Sequence, residues 1–233
     1  MSATSDMEQR TAARPRTVPL TGMRGAIARN MEQGWSVPRV AQSIEADVTA
    51  LQDLRAAAGE GERSSLTAYV LRAVALCLRE HPRLNARLPD REIEVMDDIN
   101  LGLAVSLGEG LMVPVLRNAD RKSTAELAAE ARALAEGVRT GTLSPGSYQR
   151  GTFTVTSLAG TAIDSFTPIL NAPQVAILGV TRVTAKPVAR GNAVAVAPMM
   201  GLHLVFDHRA VDGYPAALFL GALKHRLETA EGL

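Results

Sequence analysis

Apolar positions recur along this chain with two different periods, and stretches of each kind are interleaved from end to end. Met23, Ile27 and Met31 fall at four-residue steps, which predicts a helix over 20–33 with Thr21 as its N-cap. VPRVAQSIEADVT (37–49) alternates and is β-rich, the pattern of a strand. A second helix is expected over 48–58, stopped by Gly59-Glu60-Gly61. The strongest helical pattern covers 66–80, where Leu66, Val70, Ala73, Val74 and Cys77 make a broad apolar face and Pro82 ends the run. Residues 91–96 and 99–107 read as strands, and 111–117 as extended chain with Pro114 marking an edge or bulge. Ser123 and Glu126 form a capping-box signature for a helix over 123–139, followed by a loop at Gly141, Pro145 and Gly146. Strand-like runs at 152–157, 174–183, 193–198 and 201–206 precede a closing helix over 214–230.

Helices and strands thus mix without a Rossmann rhythm, repeats or an internal linker, and the chain reads as one α/β domain over 17–233. Residues 1–16 are polar, of mixed charge and aperiodic, which predicts a disordered leader. With 233 residues, 46% of them hydrophobic, the chain can bury a sizeable core. A net charge of +1 gives no electrostatic case for nucleic acid or an anionic membrane as partner. No apolar run reaches the roughly 18–20 residues of a spanning helix. The single cysteine, Cys77, lies in an apolar run and reads as a buried thiol. These features predict a soluble, cytoplasmic protein.

No GxSxG, Walker or GxGxxG motif occurs, nor HExxH or a Cys/His cluster with metal spacing, so no metal is expected. Of four histidines, His81 and His225 read as surface residues and His203 as a structural histidine within a strand. His208 differs: in FDHRAVDGYP an apolar strand stops at a charged cluster, where Asp207, Arg209 and Asp212 could orient an imidazole. A solvated turn fits the same residues. The segment 151–173 (GTFTVTSLAGTAIDSFTPILNAP) fits two pictures as well. One is a β-hairpin with a wide polar loop. The other is a row of hydroxyl donors lining a site, of the kind that stabilises a developing oxyanion.

The segment DHRAVDG resembles the signature of the catalytic domain of 2-oxo acid dehydrogenase acyltransferases, the E2 components, which share a fold with chloramphenicol acetyltransferase. VPLTGMRGAIARNM, EADVTAL, LTAYVLRAVALCL with HPRLNA, GLMVPVLRNADRKS and FTVTSLAG…SFTPILNAPQVAILGV are similar to E2 segments in the same order, over about residues 17–228. The resemblance implies a chloramphenicol acetyltransferase-like domain with a mixed sheet and flanking helices, in a homotrimer with active sites between subunits. It implies that His208 is the general base, that Asp212 supports the site through charge, and that Thr156 supplies the oxyanion hydroxyl, with Ser157 as the fallback. Arg24 or Arg29 of the first helix would partner Asp212, with Arg209 also supporting. Ser157, Leu178 and Asn171 fall at substrate and CoA channel positions. His208 and Thr156 would come from different chains.

The chain departs from that pattern in several places. None of its three lysines, Lys122, Lys186 and Lys224, lies in a lipoyl-type Asp-Lys-Ala context, so no lipoyl attachment is expected on this chain. Its end, HRLETAEGL, lacks the Leu-rich docking tail of large E2 cores, and an isolated trimer is expected. Arg39 and Asn30 stand where histidine and arginine are frequent in the family. The resulting expectation is a stand-alone acyltransferase moving an acetyl group from acetyl-CoA to a small-molecule alcohol of tetronate type, for antibiotic biosynthesis. The alternatives are an E2 core serving a lipoyl domain on another chain, and a non-catalytic scaffold. Retention of His208, Asp212 and Thr156 weighs against the last.

Overall fold

The structure is a computed structural model that describes residues 17–58, 64–108 and 110–233. The expected leader, 1–16, and the helix stop at 59–61 lie outside the described residues. In chain order the elements are α1 (Gly22–Trp35), β1 (Arg39–Asp47), α2 (Thr49–Ala57), α3 (Leu66–Glu80), β2 (Ala86–Arg87), β3 (Glu94–Val95), β4 (Leu101–Leu103), β5 (Val105–Ser106), β6 (Leu111–Met112), β7 (Val115–Leu116), α4 (Thr124–Thr140), β8 (Phe153–Ser157), β9 (Ala176–Arg190), β10 (Ala193–Asp207) and α5 (Gly213–Thr229).

Six strands form one mixed sheet in the order β1-β10-β9-β8-β4-β7. Its β8 neighbours, β4 and β9, both run parallel to it, while β1, β10, β9 and the β4/β7 pair are antiparallel. Strand alternation gives the sheet two unlike faces. Phe153 and Val155 of β8, Leu178 and Val180 of β9, and Leu202, Leu204 and Phe206 of β10 join the main core with α3 and α5. The opposite face carries Thr154 and Thr156, Ile177 and Gly179, His203 and Val205, with Leu170, Ile177 and Val205 in a small apolar cluster of their own. The helix α1 covers part of this second face.

Local chemistry sets the helix ends. The Ser123 side chain accepts from the Glu126 backbone N–H while the Glu126 carboxylate accepts from that of Ser123, and Gly141 closes α4 in the left-handed region. The same side-chain cap starts α3, where Ser65 accepts from the Ala68 N–H. Thr21 caps α1 through its backbone only: its carbonyl accepts from Gly25, and its hydroxyl makes no capping bond. Gly34 lets α1 approach the chain at Leu170, because a Cβ there would lie 2.1 Å from the Leu170 carbonyl oxygen.

Three expectations change. The hairpin reading of 151–173 fails because β8 and β9 run parallel, so the segment between them is a crossover. The two runs at 193–198 and 201–206 are one strand, its register shifted at Gly201 rather than ended there. The run 99–107 divides into β4 and β5, and 111–117 into β6 and β7, with Pro114 between the latter pair and β7 at the sheet edge. No helix among the described residues is long and apolar enough to cross a membrane.

Phe153 is wholly buried and stands 5.9 Å from the Phe219 ring, tying β8 to α5. Phe153→Ala is expected to destabilise the domain by about 3–5 kcal/mol, measured by urea unfolding. Cys77 is buried in α3, and burial pushes its thiol pKa up to about 11. An acid raised in this way stays protonated where the unfolded thiol ionises. Cys77 should therefore resist a disulfide reagent at about pH 8 in the native protein and react on unfolding; fast native labelling would contradict its placement.

Candidate active site

His208 follows the last residue of β10, where the strand turns into α5. The turn is fixed by Asp207, which is buried and accepts from the Arg209 backbone N–H at 2.9 Å and from the Arg209 guanidinium at 2.7–3.2 Å. The Asp207 carbonyl accepts from Ala210 and Val211, and the His208 N–H donates to Pro38 at 2.9 Å. Pairing with Asp207 raises the pKa of Arg209, so the guanidinium keeps its charge. The expected supporting residue Arg209 thus acts on the turn through Asp207.

The His208 side chain is 46% exposed. Its Nδ1 stands 3.9 Å from an Asp212 carboxylate oxygen, too far for a hydrogen bond but close enough for charge pairing with a protonated ring. Asp212 is 84% exposed at the start of α5. Its ion pair among the described residues is with His208.

Thr156 lies elsewhere. It lines an apolar cavity of about 250 Å³ between α1, β8 and the crossover, with Ile27, Met31, Phe166, Ile169 and Ile177 among its walls. Asn171 lines the same cavity. Its side chain accepts from the Asn30 amide at 2.9 Å and donates to the Thr154 hydroxyl at 3.4 Å, which donates to buried Gln174 at 2.5 Å. Phe166 packs on bare backbone, since a Cβ on Gly179 would meet the ring at 2.8 Å.

Two channel positions fall differently. Leu178 is fully buried in the main core and is not a cavity residue; alternation turns its neighbour Ile177 to the cavity instead. The Ser157 hydroxyl accepts from the Ala159 N–H at 3.3 Å and is absent from the cavity wall. Thr154, Gln174 and Phe166 were not singled out from the sequence. The alternation of TFTVTS, which puts Thr154 on the same strand face as Thr156, was the available signal.

Register measures the gap between the two catalytic candidates. Thr156, Gly179, His203 and Ser43 form one row across β8, β9, β10 and β1. His208 lies five residues beyond His203, roughly 16 Å along the strand and two strand spacings to the side. One chain cannot bring both groups to one reacting atom. The other histidines are accounted for separately. His203 is buried, with Nδ1 2.7 Å from the Ser43 hydroxyl, and burial lowers its pKa. His81 is half-buried, edge-on to Phe219 at 5.8 Å, and not the surface residue expected; His225 is exposed. No cluster of three or more metal-ligating side chains occurs among the described residues.

Comparison with known proteins supplies the context. The chain is 38% identical over 225 residues to the dihydrolipoyllysine-residue acetyltransferase component of the acetoin cleaving system of Bacillus subtilis, covering 93% of this chain and 56% of that protein. It is 38% identical over 220 residues to the lipoamide acyltransferase component of the branched-chain alpha-keto acid dehydrogenase complex of Pseudomonas aeruginosa, covering 91% of this chain and 51% of that protein. The chain therefore spans about half the length of these curated relatives. Dihydrolipoamide acetyltransferase (E2p) of Azotobacter vinelandii superposes with a TM-score of 0.89 at 35% identity, covering 99% of this chain and 98% of that one. A serine, a histidine and an asparagine studied for their role in its catalytic mechanism are spaced along that protein as Thr156, His208 and Asp212 are here. Chloramphenicol acetyltransferase shares the fold, with a TM-score of 0.56 at 17% identity over 85% of this chain and 94% of that one.

These relatives overturn the expectation of a stand-alone tetronate-type acetyltransferase with a small alcohol as acceptor. At 38% identity over most of the chain they are components of dehydrogenase and acetoin-cleaving systems, named for lipoyl-linked acyl transfer. The model of the 2-oxoacid dehydrogenases acyltransferase (catalytic domain) matches residues 12–233, and the chain belongs to that family.

Proposed function

We propose that this chain transfers an acyl group between a dihydrolipoyl thiol and CoA, at a site completed by a neighbouring copy of the chain. The observation that carries this reading is the distance between His208 and Thr156. A base at the end of β10 and a hydroxyl on β8, two strands away, serve one carbonyl only if two copies each contribute one of them. Three copies closing around a three-fold axis supply such an interface three times. The spacing shared with the Azotobacter vinelandii enzyme supports the choice of Thr156, His208 and Asp212 as the participating residues.

On this reading His208 takes the proton of the attacking thiol. The thiolate adds to the thioester carbonyl, and the Thr156 hydroxyl of the adjoining copy donates to the oxyanion that forms. Collapse expels the other sulfur, which recovers the proton from His208. Asp212, beside Nδ1, stabilises the imidazolium that exists between these steps. No acyl-enzyme is required. The lipoyl group arrives on a partner domain, and CoA is the second substrate.

Release of CoA from acyl-CoA with dihydrolipoamide as acceptor tests the reading. His208→Ala is expected to abolish turnover with the assembly unchanged by light scattering; near-wild-type activity refutes the role. Thr156→Val is expected to lower kcat by about 10²–10³-fold. A change confined to KM would make Thr156 a binding residue instead.

Co-expression of the two variants addresses the shared site directly. A mixed trimer regains roughly one intact site in three, from the pairing of an unaltered His208 with an unaltered Thr156. Activity is expected to return in the mixture although each variant alone is inactive or slow. A mixture no more active than its parts would place both residues in one chain's site.

A further inference from the structure

Resting on the acyl transfer proposed above, we infer that the cavity beside Thr156 receives the acyl chain and that this enzyme takes an uncharged, branched acyl group larger than acetyl. The position follows from bonding. The oxyanion that Thr156 would hold, the acyl chain and both sulfur arms all start at the carbonyl carbon; the two arms must run out to their carriers, and the acyl chain is the substituent that can end in the cavity that Thr156 lines. The cavity is about 250 Å³, far more than the single methyl of an acetyl group fills.

Its walls define the chemistry. Ile27, Met31, Val113, Phe166, Ile169 and Ile177 present aliphatic and aromatic surface. None of the described residues that line it carries a charge. Apart from Thr156, the polar residues among them are engaged: the Asn30 amide donates to Asn171, the Asn171 amide to Thr154, and the Thr154 hydroxyl to Gln174 behind the wall. This chain of bonds leaves a wall suited to hydrocarbon, where each added methylene gains free energy from burial. An acyl group ending in a carboxylate would bury a charge with no cation among the described wall residues to pair it, which is strongly unfavourable. Asn30 matters here, because an arginine at this point would supply that cation.

The test compares acetyl-, isobutyryl-, isovaleryl- and succinyl-CoA as donors to dihydrolipoamide, with CoA release followed on the intact assembly. In each case the carbonyl-to-CoA sulfur bond breaks, the bond to the lipoyl sulfur forms, and the thiol proton ends on CoA. The expected kcat/KM for isobutyryl- or isovaleryl-CoA exceeds that for acetyl-CoA about tenfold or more. The value for succinyl-CoA is expected at least about 10²-fold below the best branched donor. Ala104→Leu, which adds bulk to the cavity wall, should lower the branched-to-acetyl ratio about tenfold. Preference for acetyl-CoA, succinyl-CoA within tenfold of the best donor, or a ratio unmoved by Ala104→Leu would each overturn the inference while leaving acyl transfer itself intact. Should Ala104→Leu fail to fold, the four donors decide alone. No turnover with any donor would remove the transfer reading, and this inference with it.

Discussion

Cross-strand register governs this protein. Backbone hydrogen bonding locks Thr156 opposite Gly179 and Gly179 opposite His203, and a one-residue slip would turn every side chain of a strand to the other face. The separation of Thr156 from His208 is therefore set by the sheet as far as Asp207, with His208 one residue further, on the braced turn. A single copy holds the two groups apart: a hydroxyl over an apolar cavity, and an imidazole on a braced turn. Catalysis on this reading becomes a property of association.

The two faces of the sheet divide the labour. The core face is packed with large apolar side chains against α3 and α5 and keeps the strands in place. The second face mixes small and polar residues with Ile177 and Val205, and the crossover and α1 settle over it. Gly34 brings α1 within reach of the Leu170 carbonyl, and the Asn30–Asn171 bond joins the same two segments. At the end of β10 a buried carboxylate is retained, at a desolvation cost offset by the guanidinium and backbone N–H of Arg209. That buried polarity sits next to His208 and fixes the turn that carries it.

Much of this was legible in the sequence because it rests on local rules. The helix over 66–80 and the Ser123–Glu126 capping box depend on period and on side chains a turn apart, and both were read correctly. Non-local pairing was not legible. The segment between Ser157 and Ala176 holds no helix to announce a crossover, so its length was the one sign against a hairpin, and Gly201 looks the same whether it ends a strand or shifts its register. The cluster around His208 could be picked out as a strand running into charges, but the role of Asp207 as its brace needed the burial of its carboxylate. The cavity was the least visible part. Leu178 and Ile177 are equally apolar neighbours, and only the pairing of Ile177 with Thr154 decides which of them faces Thr156.

Phe166 rests on Gly179, where a methyl group would lie 2.8 Å from the ring. The consequence concerns descent rather than chemistry. Trimming the ring is open to a single substitution, whereas any side chain gained at position 179 must be met by volume lost at 166. The two positions are bound into one exchange of bulk. A lineage that alters the shape of this wall can drift in one direction freely and in the other only by a paired change.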